Sequence, residues 1–226
     1  MSLTENLSRI KERIAAAAER AGRNPEQITL VAVSKTKSAD MVRQALAAGQ
    51  LEFGENYLQE AAAKIALLAG ACRWHCIGHI QSNKARLAAE IFDVVETIDR
   101  LKIARALERH LSAMDKIMPV YIQVNIGREP QKAGVMPEDA AALAREVAAC
   151  AHLRLSGLMA IPPHSLEAEK SRGYFRGLRE LAAELSHTLR LGDNLGLSMG
   201  MSGDFETAIE EGATLVRVGT AIFGGR

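Results

Sequence analysis

Eight short apolar runs, each followed by a helix-like pattern and recurring roughly every 25 residues, constrain this chain more than any other feature. The runs cover 28–34, 51–54, 74–78, 93–98, 120–126, 153–161, 195–199 and 215–219. Helical spacing between them predicts helices over 38–49, 56–68, 81–90, 99–113, 138–150, 166–189 and 202–211. Several carry end signals, such as Ser38 before the second helix and Gly49 after it. Strands alternating with helices give a parallel sheet, and eight such units give a (β/α)8 TIM barrel. An open doubly wound sheet is the alternative, but no G-x-G-x-x-G follows the first run. One further helix precedes the first strand, with Leu3, Leu7, Ile10 and Ile14 on one face and a stop near Gly22. It is expected over the barrel bottom or against the outer ring. Little sequence follows the eighth run, so residues 1–226 are expected to form a single domain without a second one.

Bulk properties exclude several classes of partner. The formal charge is +1, and no basic run interleaved with aromatics occurs, so neither nucleic acid nor an anionic surface is expected. No apolar stretch reaches the roughly 20 residues of a membrane helix. The N-terminal MSLTENLSRIKERI has an amphipathic pattern and no apolar core of a signal peptide. Three cysteines give no disulfide framework, and a cytoplasmic protein is expected. Cys72, His75, Cys76 and His79 would share one helix face and resemble a zinc set. Their segment reads as a strand, however, and period two sends the cysteines and histidines to opposite faces. No metal site is expected.

In a barrel of this kind, chemistry collects at the C-terminal ends of the strands. Those ends carry Ser34-Lys35-Thr36, Gly54-Glu55-Asn56, His79, Asn125, Met159, Ser198 through Ser202, and Arg217 with Gly219-Thr220. Ser202 before Gly203-Asp-Phe-Glu206 reads as a helix start, and Gly219-Thr220 follows the last strand. Loops after strands seven and eight are the usual phosphate site of the fold. Lys35 has two readings: a cation reaching for solvent, or a nucleophilic amine whose lone pair is freed by desolvation and a nearby cation such as Arg217. A nucleophilic amine facing a phosphate cradle suits a ligand with both an aldehyde and a phosphate. Pyridoxal 5′-phosphate (PLP) fits that description, and so do phosphorylated sugars.

Seven ordered motifs narrow the choice. They are Val31-Ala-Val-Ser-Lys-Thr36, Phe53-Gly-Glu-Asn56, Trp74-His-Cys-Ile-Gly-His-Ile-Gln81-Ser-Asn-Lys84, Val124-Asn125 with Glu129, Lys132 and Gly134, Gly157-Leu-Met-Ala-Ile-Pro162, Leu197-Ser-Met-Gly-Met-Ser202 with Asp204, and Val216-Arg-Val-Gly-Thr-Ala-Ile-Phe-Gly224. In this set and order the chain resembles the PLP homeostasis proteins, single-domain relatives of the alanine racemase barrel. The resemblance implies an internal aldimine on Lys35, a phosphate held by Ser202 and the Gly219-Thr220 amides, and Arg217 at the pyridine nitrogen. It further implies that Asn56, His79, Met159 and Ser198 line the ring pocket. Lys132 would be a solvated loop lysine or a second acceptor. The implied role is intracellular PLP homeostasis: storage, supply or transfer, with PLP-dependent apo-enzymes as recipients. Donor-only Arg217 favours an unprotonated ring nitrogen and a poorer electron sink, and no second domain supplies a second base, so little or no catalysis is expected. No motif argues for an interface, so a monomer is expected. Two other readings stay open. One is a small PLP-dependent racemase or lyase with His79 or Tyr57 as second base; the other is a cofactor-free Schiff-base aldolase.

Overall fold

Strand β1 (Thr29–Val33) pairs in parallel with β2 (Glu52–Glu55) on one side and with β8 (Leu215–Val218) on the other, so the sheet has no edge. Between them run β3 (Arg73–Cys76), β4 (Val94–Ile98), β5 (Met118–Val124), β6 (Leu153–Ala160) and β7 (Gly196–Ser198). Their order around the closed barrel is their order in the chain, and all pairs are parallel. This is the (β/α)8 barrel that the eight-unit count predicts. The computed structural model describes residues 2–68, 70–163, 165, 167–191 and 195–225.

Alternation within each strand divides the side chains between two cores. In β1, Leu30 and Ala32 face the helices, while Val31 and Val33 face the barrel axis. The helix-facing layer is apolar, with Phe53, Phe92, Phe175 and Phe205 fully buried in it. Each such ring contributes about 1.5–3 kcal/mol of burial free energy. Around it stand α2 (Ala39–Ala47), α3 (Leu58–Leu67), α4 (Ala85–Ile91), α5 (Leu101–Ser112), α6 (Ala140–Ala148), α7 (Arg172–Thr188) and α8 (Phe205–Glu210). Ser38 caps α2 as expected, accepting from the Met41 N–H at 3.3 Å. The start of the seventh predicted helix, Leu166, lies outside the described residues, and α7 itself begins at Arg172.

The N-terminal helix α1 (Leu3–Arg20) belongs to the outer ring, where it packs against α8 and α2 and not over the barrel bottom. Its buried stripe is Leu7, Ile10, Ile14, Ala17 and Ala18. Arg13 lies over the Phe205 ring at 4.7 Å and forms two bonds with Glu206, at 3.0 and 2.9 Å. Ser2 and Glu5 close a reciprocal cap at the helix start. One element escaped the sequence reading: after β8 the chain makes a last helical turn, α9 (Thr220–Phe223), which buries Ile222 and Phe223. Among the described residues, no helix is long and apolar enough to cross a membrane.

Candidate functional site

The C-terminal ends of β1, β2 and β8 open onto a cavity of about 550 Å³. Period two carries Val33 and then Lys35 from β1 into its wall. Among the described residues, none donates to or accepts from the Lys35 amine, which is half-buried. The two neighbouring lysines are tied down. Lys37 donates to the carbonyls of Gly224 and Gly225, at 3.1 and 2.7 Å. Lys132, also in the cavity wall, donates to the Pro162 carbonyl at 2.9 Å and pairs with Glu129. Lys132 is therefore part-exposed and already bonded within the protein.

Asn56 enters from the end of β2, and its Oδ1 is buried without a partner. A buried oxygen of this kind marks a place for a donor that a ligand could bring. Its backbone seat depends on a glycine: a Cβ at Gly78 would stand 2.1 Å from the Asn56 carbonyl oxygen. Across the cavity, the Thr220 hydroxyl donates to the Ser202 hydroxyl at 3.2 Å, so two loops bring their OH groups to one point. Gly219 lets β8 end close to β1, where a Cβ would lie 3.2 Å from the Val33 carbonyl. One detail differs from the sequence reading: Ser202 does not cap α8. Asp204 occupies that cap position, and its Oδ1 accepts from the Met201 N–H at 2.7 Å, closing a turn that leaves Ser202 free to face the cavity.

Arg217 forms the cavity floor on β8 and is itself buried. Its guanidinium donates to the Ala160 carbonyl at 2.9 Å and to the Ser198 hydroxyl. Ser198 in turn gives its only proton to Glu96 at 2.5 Å, so its lone pairs are what Arg217 meets. Glu96 is completely buried, 3.9 Å from the guanidinium, and its other oxygen lies 2.6 Å from His75 Nδ1. His75 Nε2 is 2.7 Å from Glu52. Burial opposes the imidazolium, but the bonds to Glu52 and Glu96 outweigh it and push the His75 pKa up to about 9. Burial likewise opposes the Glu96 carboxylate, and His75 and Arg217 together hold it below the ordinary range. Positive and negative groups thus alternate down the barrel axis from Arg217 to Glu52.

Of the nine residues expected to bind a cofactor, six stand together in the cavity wall: Lys35, Asn56, Ser202, Arg217, Gly219 and Thr220. Met159, Ser198 and His79 do not. Met159 and Ser198 are fully buried outside the wall, with Ser198 engaged by Arg217 and Glu96. His79 lies past the end of β3, half-exposed, with Nδ1 3.3 Å from Asp99 and Nε2 3.4 Å from Arg100. The cysteine–histidine set also separates. His75 points to the axis, whereas Cys76 is buried in the helix-facing core with its thiol pushed up to about 12 by desolvation. No cluster of three candidate metal ligands occurs among the described residues. Sequence reading missed the apolar wall of Ile77 and Pro163, and it missed the axial acid Glu96. A charged residue inside the strand Val94–Ile98 was the available signal for the latter.

The residues in the wall fit PLP on this chain's own chemistry: an unpartnered amine, an unsatisfied Asn56 oxygen, two converging hydroxyls and a donor-only guanidinium. Comparisons with known proteins agree with that fit. Residues 6–226 match the family described as alanine racemase, N-terminal domain. A pyridoxal phosphate homeostasis protein of Pseudomonas aeruginosa is 50% identical over all of this chain and 96% of its own length. The Escherichia coli K12 protein of the same name is 45% identical over 99% of this chain and 97% of its own. Among solved structures, PipY of Synechococcus elongatus with PLP bound superposes with a TM-score of 0.87 at 36% identity, covering 99% of this chain and all of that one. The chain belongs to the alanine racemase N-terminal domain family, among its pyridoxal phosphate homeostasis proteins.

Proposed function

We propose that this protein binds PLP covalently through Lys35 and acts in cytoplasmic PLP homeostasis, as one barrel domain over residues 1–226 that works as a monomer. The observation that carries the reading is the unpartnered Lys35 amine facing the Ser202–Thr220 hydroxyl pair across one cavity. In its neutral form the amine adds to an aldehyde carbon; the carbonyl oxygen leaves as water and a C=N bond remains. Ser202, Thr220 and the Gly219–Thr220 backbone would take the phosphate, and Asn56 Oδ1 would accept from a ring substituent. Bound here, PLP supplies an electron sink, whose strength depends on protonation of its ring nitrogen.

Arg217 supports a role without turnover. Five N–H groups and no acceptor make it a partner for an unprotonated ring nitrogen. The bonds to Ala160 and Ser198 fix the guanidinium in the cavity wall, where it would meet that nitrogen. The racemase or lyase reading needs a second base, yet neither His79 nor Tyr57 stands in the cavity wall. Storage, supply or transfer to PLP-dependent apo-enzymes is the use of a reversible C=N bond that this reading assigns.

A visible spectrum is the direct test. Purified protein with PLP should absorb in the visible, and borohydride should bleach the band and label Lys35. The Lys35→Ala variant should show neither effect. A colourless protein would point to the aldolase reading, and Lys35-dependent racemisation of amino acids would overturn the non-catalytic one.

A further inference from the structure

Thr36, directly after Lys35, has φ +64°, a left-handed conformation that a β-branched residue rarely adopts. Such a conformation persists only where the surroundings hold it. Here both flanks of Lys35 are held by one charged cluster. Lys64, on α3, is buried; it donates to the Ser34 carbonyl and to Glu55 Oε1, at 2.7 Å each, and forms an ion pair with Glu60 Oε1 at the same distance. Glu60 Oε1 also accepts from the Thr36 N–H at 2.6 Å. Glu55, fully buried, accepts from the Ser34 hydroxyl at 2.7 Å. The residues before and after Lys35 are thus bonded to a group that forms no part of the cavity wall.

We propose that Lys64, with Glu55 and Glu60, is a positioning device that holds the Ser34–Thr36 backbone in its left-handed turn and so aims the Lys35 amine into the cavity. The inference rests on the reading of Lys35 as the amine that takes the aldehyde. It assigns the cluster a task that burial of an ion pair alone does not explain. A buried pair is weak evidence for net stability, whereas a misplacement of about 1 Å at a reacting group costs up to about a hundredfold. The Lys64 ammonium works as the hub because, among the described residues, it alone reaches both the carbonyl before Lys35 and the carboxylate that binds the amide after it.

Glycine adopts positive φ without strain, which provides the test. PLP affinity and the rate of borohydride-trapped labelling at Lys35 are measured for wild type, Lys64→Met, Thr36→Gly and the double variant. Lys64→Met should weaken affinity or slow labelling about tenfold or more. On the Thr36→Gly background the same substitution should cost less than about threefold, because the turn then needs no clamp. Equal losses on both backgrounds, or no loss at all, would overturn the proposal. Should Lys64→Met fail to fold, as judged by circular dichroism and urea titration, Glu60→Ala takes its place on both backgrounds. That variant removes the Thr36 amide's acceptor at a part-exposed position, and the same two outcomes decide. Wild type is the control for the underlying reading. If it is not labelled at Lys35, the PLP assignment falls; if it is labelled and the backgrounds behave alike, only the clamp falls.

Discussion

The cavity mouth and the barrel axis beneath it are built from similar residue types and differ in how completely those residues are used. At the mouth, the Lys35 amine has no partner among the described residues, Asn56 Oδ1 accepts nothing, and Ser202 and Thr220 bond each other. Along the axis, Glu52, His75, Glu96, Ser198 and Arg217 form an unbroken chain of hydrogen bonds and ion pairs. Open valences describe a place prepared for a ligand; closed ones describe a support. Arg217 takes part in both, since it lines the cavity and ends the axial chain. The difference predicts that axis substitutions act mainly on stability and mouth substitutions mainly on binding.

Breaking the axis should give the largest effect. Glu96→Ala leaves the buried, charged His75 and Arg217 without their shared counter-charge, a change expected to cost about 3–5 kcal/mol. Urea denaturation of the apo protein measures it. A loss under 1 kcal/mol would mean that the axis is not the support its geometry describes.

The second effect is a pH dependence of the same chain. The folded His75 value, about 9, stands above the ordinary 6.5, so its contribution is complete below about pH 6.5 and is lost as pH rises through 9. With about 1.4 kcal/mol per pH unit over that interval of about 2.5 units, the change is at most roughly 3.5 kcal/mol. Glu52 and Glu96 are held below the ordinary 4.5; their contribution is present above that pH and fades as pH falls through the depressed values. Stability should therefore plateau near pH 5–6.5 and decline towards 9. Replacing His75 by Leu should flatten the alkaline decline, and an unchanged slope would remove His75 as its cause.

What the sequence made legible divides along the same line. Eight strands and the mouth follow from local periodicity, because apolar runs and helix patterns are written in neighbouring residues. Lys35, Ser202 and Thr220 follow in turn, since strand ends are where this fold collects its polar groups. The axis is not local. Ser198 and Glu96 meet across 102 residues, and His75 meets both of its acids only when the barrel closes. The strand holding Glu96 reads as an apolar run, and period two takes His75 out of a metal set without saying what it bonds, until closure supplies their partners. The cap before α8 shows the same limit at short range. Ser202 and Asp204 are both good capping residues, and it is the turn closed on the Met201 amide that places Asp204 at the cap.

At the mouth the expected changes are smaller and of another kind. Ser202→Ala and Thr220→Ala each remove one hydroxyl whose side-chain hydrogen bond among the described residues is to its counterpart, at the cost of about 1 kcal/mol of PLP binding per bond, or roughly fivefold in affinity. Urea midpoints of the apo variants should stay close to wild type. Titration of the visible band against PLP separates the two quantities, and a large loss of apo stability would assign these hydroxyls to the support instead.

The smallest effect on apo stability belongs to the residue with the largest effect on binding. Lys35→Met removes an amine that no described residue bonds, so the apo protein should change by no more than about 0.5 kcal/mol. The same replacement at Lys64 leaves the buried Glu55 and the part-exposed Glu60 without the ammonium they share and should cost several kcal/mol. Two lysines near the same strand end then give opposite signatures in one pair of urea titrations. An apo Lys35→Met protein destabilised as strongly as Lys64→Met would show that the Lys35 amine is held by the fold and not reserved for a ligand.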